Sequence, residues 1–257
     1  MKRYSFLPLF IYILLLSAVD AERITIAVSA NMGSVITALN EKFCSRYPDI
    51  EVRTVLGSSG KLTAQIEKGA PYGLFLSADR AYPEALLKKR AAIGEIKIYA
   101  KGAIVLFSAG KVDLSKGMEL LEEGSIERVV IPDPATAPYG RAALEALENA
   151  GLYEKVASRL LYAQSVSQSA VYVTKAADIG IVARSILFSA RMRRFEKGRD
   201  WVDIDPSLYT PIEQGAVLLK RSLGVEAYAK YYDFLSSPEA RSLLEKYGYI
   251  LPREEKR

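Results

Sequence analysis

The segment GSSGKLTAQIEKGAPYGLFLSAD, residues 57–79, decides the fold of this chain and carries its most informative motif. Two serines, Ser58 and Ser59, lie between two glycines, after a strand-like run at 51–56 and before a helix-like run at 61–68. The glycines would let the backbone approach a ligand closely. N–H groups in the first turn of a helix have no intrahelical acceptor, and the helix dipole favours negative charge there. The segment therefore predicts a binding site for an anion.

Strand-like and helix-like runs alternate along the rest of the chain, which predicts an α/β fold with mostly parallel sheets. Further strands are predicted at 24–28, 74–76, 103–107, 129–131, 179–182 and 216–219. Further helices are predicted from Val35 to Tyr47 and at 83–90, 141–150, 170–175, 227–235 and 238–247. Because parallel sheets bind ligands at the carboxyl ends of their strands, the loops that follow the strands are the places to look for a site.

The N-terminus has the layout of a secretory signal. Lys2 and Arg3 precede an apolar run at 6–16, and Val19-Asp20-Ala21 resembles a small-residue cleavage site. The apolar run is short for a membrane span. We therefore expect residues 1–21 to be a cleaved signal peptide, with an uncleaved anchor as the alternative, and we expect a periplasmic or otherwise extracytoplasmic location.

The composition excludes several classes of site. The chain has no histidine, so a Ser-His-Asp or Cys-His mechanism cannot be assembled, and with Cys44 as its one cysteine a zinc site is not expected. The net charge is +5, with basic and acidic residues interspersed, which indicates a solvated surface rather than a nucleic-acid footprint. We expect no nucleic-acid partner, no cofactor and no direct protein ligand to a metal.

Four loops between predicted strands and helices supply the candidate binding groups, at 29–32, 57–60, 133–140 and 163–169. In the first, Ser29 or Asn31 could bind a ligand or simply cap the following helix. In the third, Pro138 and Gly140 predict a turn that points the N–H of Tyr139 outward, with a purely structural turn as the alternative.

Together the four loops offer hydroxyls, side-chain amides and free N–H groups, but no arginine. In the fourth, Ser165 or Ser167 is a good helix cap, so that a ligand contact there is one of two interpretations. Neutral donors alone can bind a fully ionised oxyanion through charge-assisted hydrogen bonds. A protonated anion would need a carboxylate to accept its proton. Phosphate at neutral pH is therefore less suited to these loops than molybdate, tungstate or sulfate.

These motifs resemble those of the ModA family, the periplasmic molybdate/tungstate-binding proteins of ABC importers. The resemblance covers the chain beyond the expected signal peptide. It is carried by the strand ITIAV with Ala30-Asn31, the 57–79 segment, DPATAPYG, AQSVSQS, ADIGIVA and the PIEQGAVLL run from Pro211 to Leu219. The combination QIEKGAP followed by SAD is the most specific of these motifs.

The resemblance implies a type II periplasmic-binding-protein fold with two α/β lobes joined by two crossing segments. Lobe I is expected at 22–102 and 213–257, and lobe II at 103–212. It implies a monomeric protein that captures a tetrahedral molybdate or tungstate anion between the lobes, closes on it, and delivers it to a membrane permease without chemical change. The two dianions are nearly the same size, so the sequence does not separate them.

The resemblance also implies the residues of the site. Carried over position by position, they are Asn31 with Ala30 or Ser29 beside it, Ser59 with its neighbour Ser58, Tyr139 and Val166. Tyr139 and Val166 would act through their backbone N–H groups. Some members place a tyrosine hydroxyl where this chain has Ala183, and we expect Asn31 to replace that donor.

Two other functions are compatible with parts of the sequence. The same fold could bind another ligand, such as sulfate or ferric ion, and Tyr231-Tyr232 is the kind of pair that binds iron; its helical spacing favours core packing. Ser58-Ser59-Gly60-Lys61 fits the S-x-x-K motif of serine acyl enzymes, but neither Ser-Asp-Asn nor Lys-Thr-Gly follows it. We therefore expect a binding protein and not an enzyme.

Overall fold

The computed structural model describes residues 21–110 and 112–252. All but the last residue of the expected signal peptide lies outside these ranges. The strands are β1 (Glu22–Ser29), β2 (Ile50–Gly57), β3 (Leu74–Leu76), β4 (Ala92–Gly102), β5 (Ile104–Phe107), β6 (Val129–Pro132), β7 (Leu160–Ala163), β8 (Ile179–Ala183), β9 (Trp201–Asp203) and β10 (Ile212–Leu219). The α-helices are α1 (Ile36–Arg46), α2 (Ser59–Glu67), α3 (Ala81–Lys88), α4 (Pro138–Asn149), α5 (Tyr153–Val156), α6 (Val166–Lys175), α7 (Glu226–Phe234) and α8 (Pro238–Lys246).

The strands form two five-stranded sheets, in the orders β2-β1-β3-β10-β4 and β7-β6-β8-β5-β9. We call the part of the chain built on the first sheet lobe I and the part built on the second lobe II. Two segments cross between them. One is Ala103 between β4 and β5, and the other runs from 204 to 211 between β9 and β10. The expectation of two α/β lobes joined by two crossing segments is confirmed.

The expectation of mostly parallel sheets is wrong, because each sheet contains two parallel and two antiparallel pairings. In each sheet the strand that enters from the other lobe runs against its neighbours: β10 in lobe I and β5 in lobe II. These strands begin at the cleft between the lobes, whereas the parallel strands β1, β2, β3, β6, β7 and β8 end there. The crossing itself therefore makes both sheets mixed.

Strand β1 shows how the lobe I sheet buries both faces. Ile26 and Val28 belong to the core that α1, α7 and α8 cover, whereas Ala27 between them belongs to the core under α2 and α3. All three side chains are fully buried. A strand buried on both faces has no polar side to display, which explains the continuous apolar run in this part of the sequence. Lobe II is organised around one large core.

The sequence pattern did not reveal β4 or β7, which are both edge strands. The β4 sequence AIGEIKIYAKG mixes charges into an apolar pattern, and in β7 Leu161 and Tyr162 are exposed. Charged and exposed positions are typical of sheet edges, and they weaken the period-two signal on which strand prediction depends. Among the described residues, no helix is both long and apolar enough to cross a membrane.

Close packing of α7 on the lobe I sheet leads to a stability prediction. A Cβ on Gly73, just before β3, would lie 2.2 Å from Cζ of the buried Tyr228, whereas a Cβ on Gly124 would meet nothing within 4 Å. Gly73→Ala should therefore lower the free energy of unfolding by about 1–3 kcal/mol, the usual cost of overpacking. Gly124→Ala should stay within about 0.5 kcal/mol of the unchanged protein. Urea unfolding of the two variants checks this, and equal stabilities would contradict it.

Candidate functional site

A small cavity of about 10 Å³ lies between the two lobes. Lobe I contributes Ser29, Ala30, Asn31, Ser58, Ser59 and Ala78, and lobe II contributes Ala137, Pro138, Tyr139 and Val166. All seven site residues expected from the sequence therefore come together in its wall. A cavity of this size admits only a compact group and is far below the volume that binds a drug-sized molecule.

The wall is built where parallel strands end and helices begin. Ser29 ends β1, Ser59 begins α2 after β2, and Ala78 follows β3. In lobe II, Tyr139 and Val166 lie in the first turns of α4 and α6. These helices begin earlier than the predicted starts at 141 and 170, so that both residues present N–H groups that lack intrahelical acceptors. The positive ends of helix dipoles thus face the cavity from both lobes.

The glycines beside the two serines serve protein packing, which corrects the expectation that they admit a ligand. A Cβ on Gly60 would lie 2.6 Å from the hydroxyl of Tyr82 and 3.1 Å from the backbone of Thr136 in the other lobe. A Cβ on Gly57 would lie 3.2 Å from the Leu62 side chain. Neither glycine lines the cavity. Gly60 is needed because the lobes meet there, and its N–H donates to the Thr136 carbonyl at 3.0 Å.

The serine hydroxyls are arranged to donate into the cavity. Ser58 stands at the N-cap position of α2 but does not cap the helix, and its buried Oγ has no hydrogen-bond partner among the described residues. Ser59 Oγ accepts the N–H of Ala78 at 3.0 Å, which leaves the hydroxyl proton of Ser59 for another acceptor. By contrast, Ser165 caps α6 in the ordinary way by accepting the N–H of Gln168 at 3.3 Å.

The side chain of Asn31 belongs to a polar network behind the cavity. Its Oδ1 accepts from the Ser29 hydroxyl at 2.6 Å. Its Nδ2 lies 2.8 Å from both Gln214 Oε1 and Tyr249 Oη, and 3.3 Å from Tyr139 Oη. Both amide hydrogens therefore face protein acceptors. The part of Asn31 that remains for a ligand is its backbone N–H, at the start of the short 3-10 helix Ala30–Ser34.

Among residues 21–110 and 112–252, no charged side chain lines the cavity. Burial raises the pKa of Tyr139 and of Tyr249 above the ordinary tyrosine value, so both hydroxyls are neutral at physiological pH. Charged residues lie beside the cavity, where Arg141 of lobe II pairs with Asp79 of lobe I. Burial raises the pKa of Asp79, and the N–H of Tyr82 and the charge of Arg141 oppose that rise. The cavity itself offers only dipoles.

Direct contacts hold the lobes together around the cavity. Ser167 Oγ donates to the Ala30 carbonyl at 3.0 Å, and Lys61 Nζ donates to Gln164 Oε1 at 3.2 Å. Ser185 Oγ donates to the Asn31 carbonyl at 3.1 Å from the opposite side. With the Asp79–Arg141 pair, these bonds close the cleft on several sides. The arrangement can hold a small ionised group away from water.

The residues of the alternative functions have other partners. Lys61 is bonded across the cleft to Gln164, whereas a lysine base would have to reach the Ser58 hydroxyl. Tyr231 Oη donates to Asn40 Oδ1 at 2.6 Å, and Tyr232 Oη donates to the Glu95 carbonyl at 3.0 Å. Between residues 21 and 252, apart from the undescribed Lys111, no group of three or more His, Cys, Asp or Glu could hold a metal.

Sequence reasoning missed the residues that support the wall from behind. Gln214 and Ala78 lie within the PIEQGAVLL and SAD motifs, but the pattern alone assigned them no role. Ser185 and Tyr249 carry no local signal, because their partner Asn31 is far away in sequence. Ala183, the position for which the resemblance implied the absence of a tyrosine donor, is fully buried at the end of β8.

Comparisons with known proteins identify the family of this chain. The sequence profile of the family described as bacterial extracellular solute-binding protein matches residues 24–250. The molybdate-binding protein ModA of Rhodobacter capsulatus is 36% identical, over 88% of this chain and 91% of that protein. The molybdate-binding protein ModA of Azotobacter vinelandii is 32% identical, over 93% of this chain and 94% of its own length.

The fold agrees as well. The solved structure of the Azotobacter vinelandii periplasmic molybdate-binding protein is similar to this chain with a TM-score of 0.83 at 29% identity. The match covers 90% of this chain and 100% of that structure. The periplasmic-binding-protein fold expected from the motifs is thereby confirmed.

The two serines should differ in their effect on stability when no ligand is present. Ser59→Ala removes the acceptor of the buried Ala78 N–H and should lower the free energy of unfolding by about 1–3 kcal/mol. Ser58→Ala removes no hydrogen bond and should leave stability unchanged or slightly higher. Urea unfolding of both variants measures this. A loss in Ser58→Ala equal to that in Ser59→Ala would mean that the Ser58 hydroxyl has a protein partner.

Proposed function

We propose, from the premise that the chain belongs to the ModA family of bacterial extracellular solute-binding proteins, that it captures molybdate or tungstate between its lobes. The bound anion would then be delivered to the membrane permease of an ABC importer. Relatives that are named molybdate-binding proteins support this ligand. The proposed binding residues are Asn31, Ala30 and Ser29 in one loop, Ser58 and Ser59 in the second, and Tyr139 and Val166 in lobe II.

One observation carries the proposal: among the described residues, the buried Ser58 hydroxyl at the cavity wall has no hydrogen-bond partner. An unpaired buried donor costs about 1–3 kcal/mol, a cost that a ligand accepting from it would remove. The buried hydroxyls of Ser34 and Tyr99 are unpaired as well, but they do not line the cavity. Ser59 lies beside it with a free proton, because its Oγ already accepts from Ala78. The first-turn N–H groups of Tyr139 and Val166 complete a set of donors that come from two sides of the cavity.

The donor set favours an anion that carries no proton. All its members donate, and no carboxylate of the described residues lines the cavity to accept an O–H from the ligand. A protonated anion would leave its own hydroxyl unsatisfied in a buried place, at a cost of several kcal/mol. A fully ionised tetrahedral dianion accepts from every direction and satisfies all the donors. Charge-assisted hydrogen bonds then replace the counter-charge that the cavity lacks.

The proposed mechanism is a shift of population toward the closed form. Lobe I, at 22–102 and 213–257, and lobe II, at 103–212, would each supply part of the donor set, so that only the closed arrangement completes it. An anion that binds the closed form better shifts the equilibrium by its difference in affinity for the two forms. The bound anion would not be changed chemically, and we propose that the protein is not an enzyme.

The remaining properties of the proposed protein follow from the same function. It would be a monomer that uses no cofactor and binds no nucleic acid. It would act outside the cytoplasm after cleavage of residues 1–21. Extracytoplasmic location is the rule in the family to which the chain belongs.

Titration calorimetry with molybdate, tungstate, sulfate and ferric ion tests the proposal. Molybdate and tungstate should bind, and Ser58→Ala and Ser59→Ala should each weaken that binding by about 1.5–3 kcal/mol, the scale of a hydrogen bond to a charged group. Ser237→Ala is the control, because Ser237 caps α8 and does not line the cavity. If only sulfate or only ferric ion gave binding heat, the proposed ligand would be wrong. Unchanged affinity in both cavity variants would place the site elsewhere.

Binding should not depend on pH between about 7 and 9. The ionisable side chains at the cavity and directly behind it are Tyr139 and Tyr249, and burial raises both pKa values above the ordinary value of about 10. A raised tyrosine pKa keeps the proton on the hydroxyl to higher pH, so no negative charge appears beside the anion in this range. Calorimetry at both ends of the range checks this. A tenfold loss of affinity toward pH 9 would reveal an ionising group at the site.

A further inference from the structure

Tyr139 reaches the hinge between the lobes with its side chain. The residue lines the cavity at the first turn of α4, yet its hydroxyl ends against Gly102, the last residue of β4, which does not line the cavity. A Cβ on Gly102 would lie 2.0 Å from Tyr139 Oη and 2.7 Å from Cζ. Gly102 pairs with Ile212, the first residue of β10. The hydroxyl therefore contacts lobe I where both crossing segments leave it.

The seat of this hydroxyl, formed by Gly102, Asn31 and Gln214, is part of a rigid network. Asn31 Nδ2 lies 3.3 Å from the hydroxyl and 2.8 Å from Gln214 Oε1. Gln214 Nε2 in turn donates to the Ile212 carbonyl at 3.1 Å and to the Ala78 carbonyl at 3.3 Å. Ala78 is the residue whose N–H holds Ser59. The seat is thus tied to the anion-binding wall of lobe I.

We propose that Tyr139 and this seat act as a stop for lobe closure and thereby set the size of the anion that the cavity accepts. The inference rests on the proposed function. Tyr139 belongs to lobe II, and all three seat residues belong to lobe I. Further closure at this point would drive the hydroxyl into the main chain at the end of β4. That chain is held by pairing with β10 and by two backbone hydrogen bonds between Lys101 and Ile250.

The stop fixes the distance between the two halves of the donor set. The backbone of Tyr139 carries one of the lobe II donors, and the rigid ring keeps that backbone at a set distance from Gly102. A tetrahedral anion that fills the space accepts from both lobes. A smaller one such as sulfate would lose contact with one side, because lobe II cannot follow it inward. The donors are the same for each of these anions, so selection among them depends on this distance.

The test is the ratio of molybdate affinity to sulfate affinity, measured by titration calorimetry. Tyr139→Phe removes the hydroxyl but keeps the backbone N–H, and lobe II can then approach more closely. The ratio should fall by about tenfold, which is the change in discrimination that one small group in a binding pocket usually causes. Gly102→Ala places a methyl group under the hydroxyl and should hold the lobes further apart. It should weaken the binding of both anions and raise the ratio.

A second glycine–tyrosine contact gives the matched control. A Cβ on Gly73 would lie 2.2 Å from Tyr228 Cζ, and the Tyr228 hydroxyl accepts the N–H of Thr25 at 3.1 Å. All three residues belong to lobe I, so this contact cannot limit closure. Tyr228→Phe and Gly73→Ala should lower the unfolding temperature and leave the ratio unchanged.

The outcomes separate this inference from the proposed function. If the unchanged protein prefers molybdate and Tyr139→Phe keeps the same ratio, the stop is overturned and the proposed function stands. Shifts of the ratio in the same direction in Tyr139→Phe and Gly102→Ala would also overturn it, because a stop moved inward and outward must act in opposite directions. If the unchanged protein binds neither anion, the proposed function is overturned and the inference with it.

Discussion

In the part of the chain that the structure describes, no charged side chain lies in the wall of the cavity between the lobes, and the rest of the site depends on this constraint. A charge buried without a partner is unstable in a medium of low dielectric constant. An anion held here must therefore be stabilised by oriented dipoles alone, each aimed at it in advance. One lobe cannot surround a tetrahedral group, so the donors have to come from two sides. Binding an anion without a counter-charge therefore requires two lobes with a cleft between them.

The mixed sheets are a consequence of the same cleft. In each lobe three parallel strands end at the cleft. The helices α2, α4 and α6 each follow one of these strands and begin at the cleft, where their first N–H groups have no intrahelical acceptor. The strand that arrives from the other lobe must start at the cleft and run the opposite way, as β5 and β10 do. Topology and electrostatics are therefore linked. A chain that brings helix N-termini from two lobes to one cavity must also contain the antiparallel strands that enter each lobe from the other.

The sequence predicted the parts of this structure that are encoded locally. Apolar β3 was found with its observed bounds, and all seven expected site residues line one cavity. The sequence pattern did not predict the edge strands β4 and β7, because exposed and charged positions obscure their alternation of apolar and polar residues. The start of α4 was misplaced because Gly140 looked like a turn residue. It is instead a point of close helix–strand contact, where a Cβ would lie 2.3 Å from the Pro132 carbonyl. The three partners of the Asn31 amide nitrogen are 108 to 218 residues away, and no local pattern encodes such distances.

Asn31 shows that a residue in the cavity wall can support the structure with its side chain without using that side chain to bind the ligand. Its side chain looks like a ligand donor in the sequence, yet its amide is engaged by Gln214 and Tyr249, and its carbonyl accepts from Tyr249 and Ser185. If the amide instead turned toward an anion, the buried Gln214 Oε1 would lose the hydrogen bond from Asn31. A loss of that kind costs about as much as one new charge-assisted bond would supply. The amide therefore holds together the lobe I frame behind the cavity, and its contact with Tyr139 Oη at 3.3 Å links that frame to lobe II. The backbone N–H of Asn31 remains available to the ligand. A single residue can therefore both bind the anion through its backbone and support the cavity wall through its side chain.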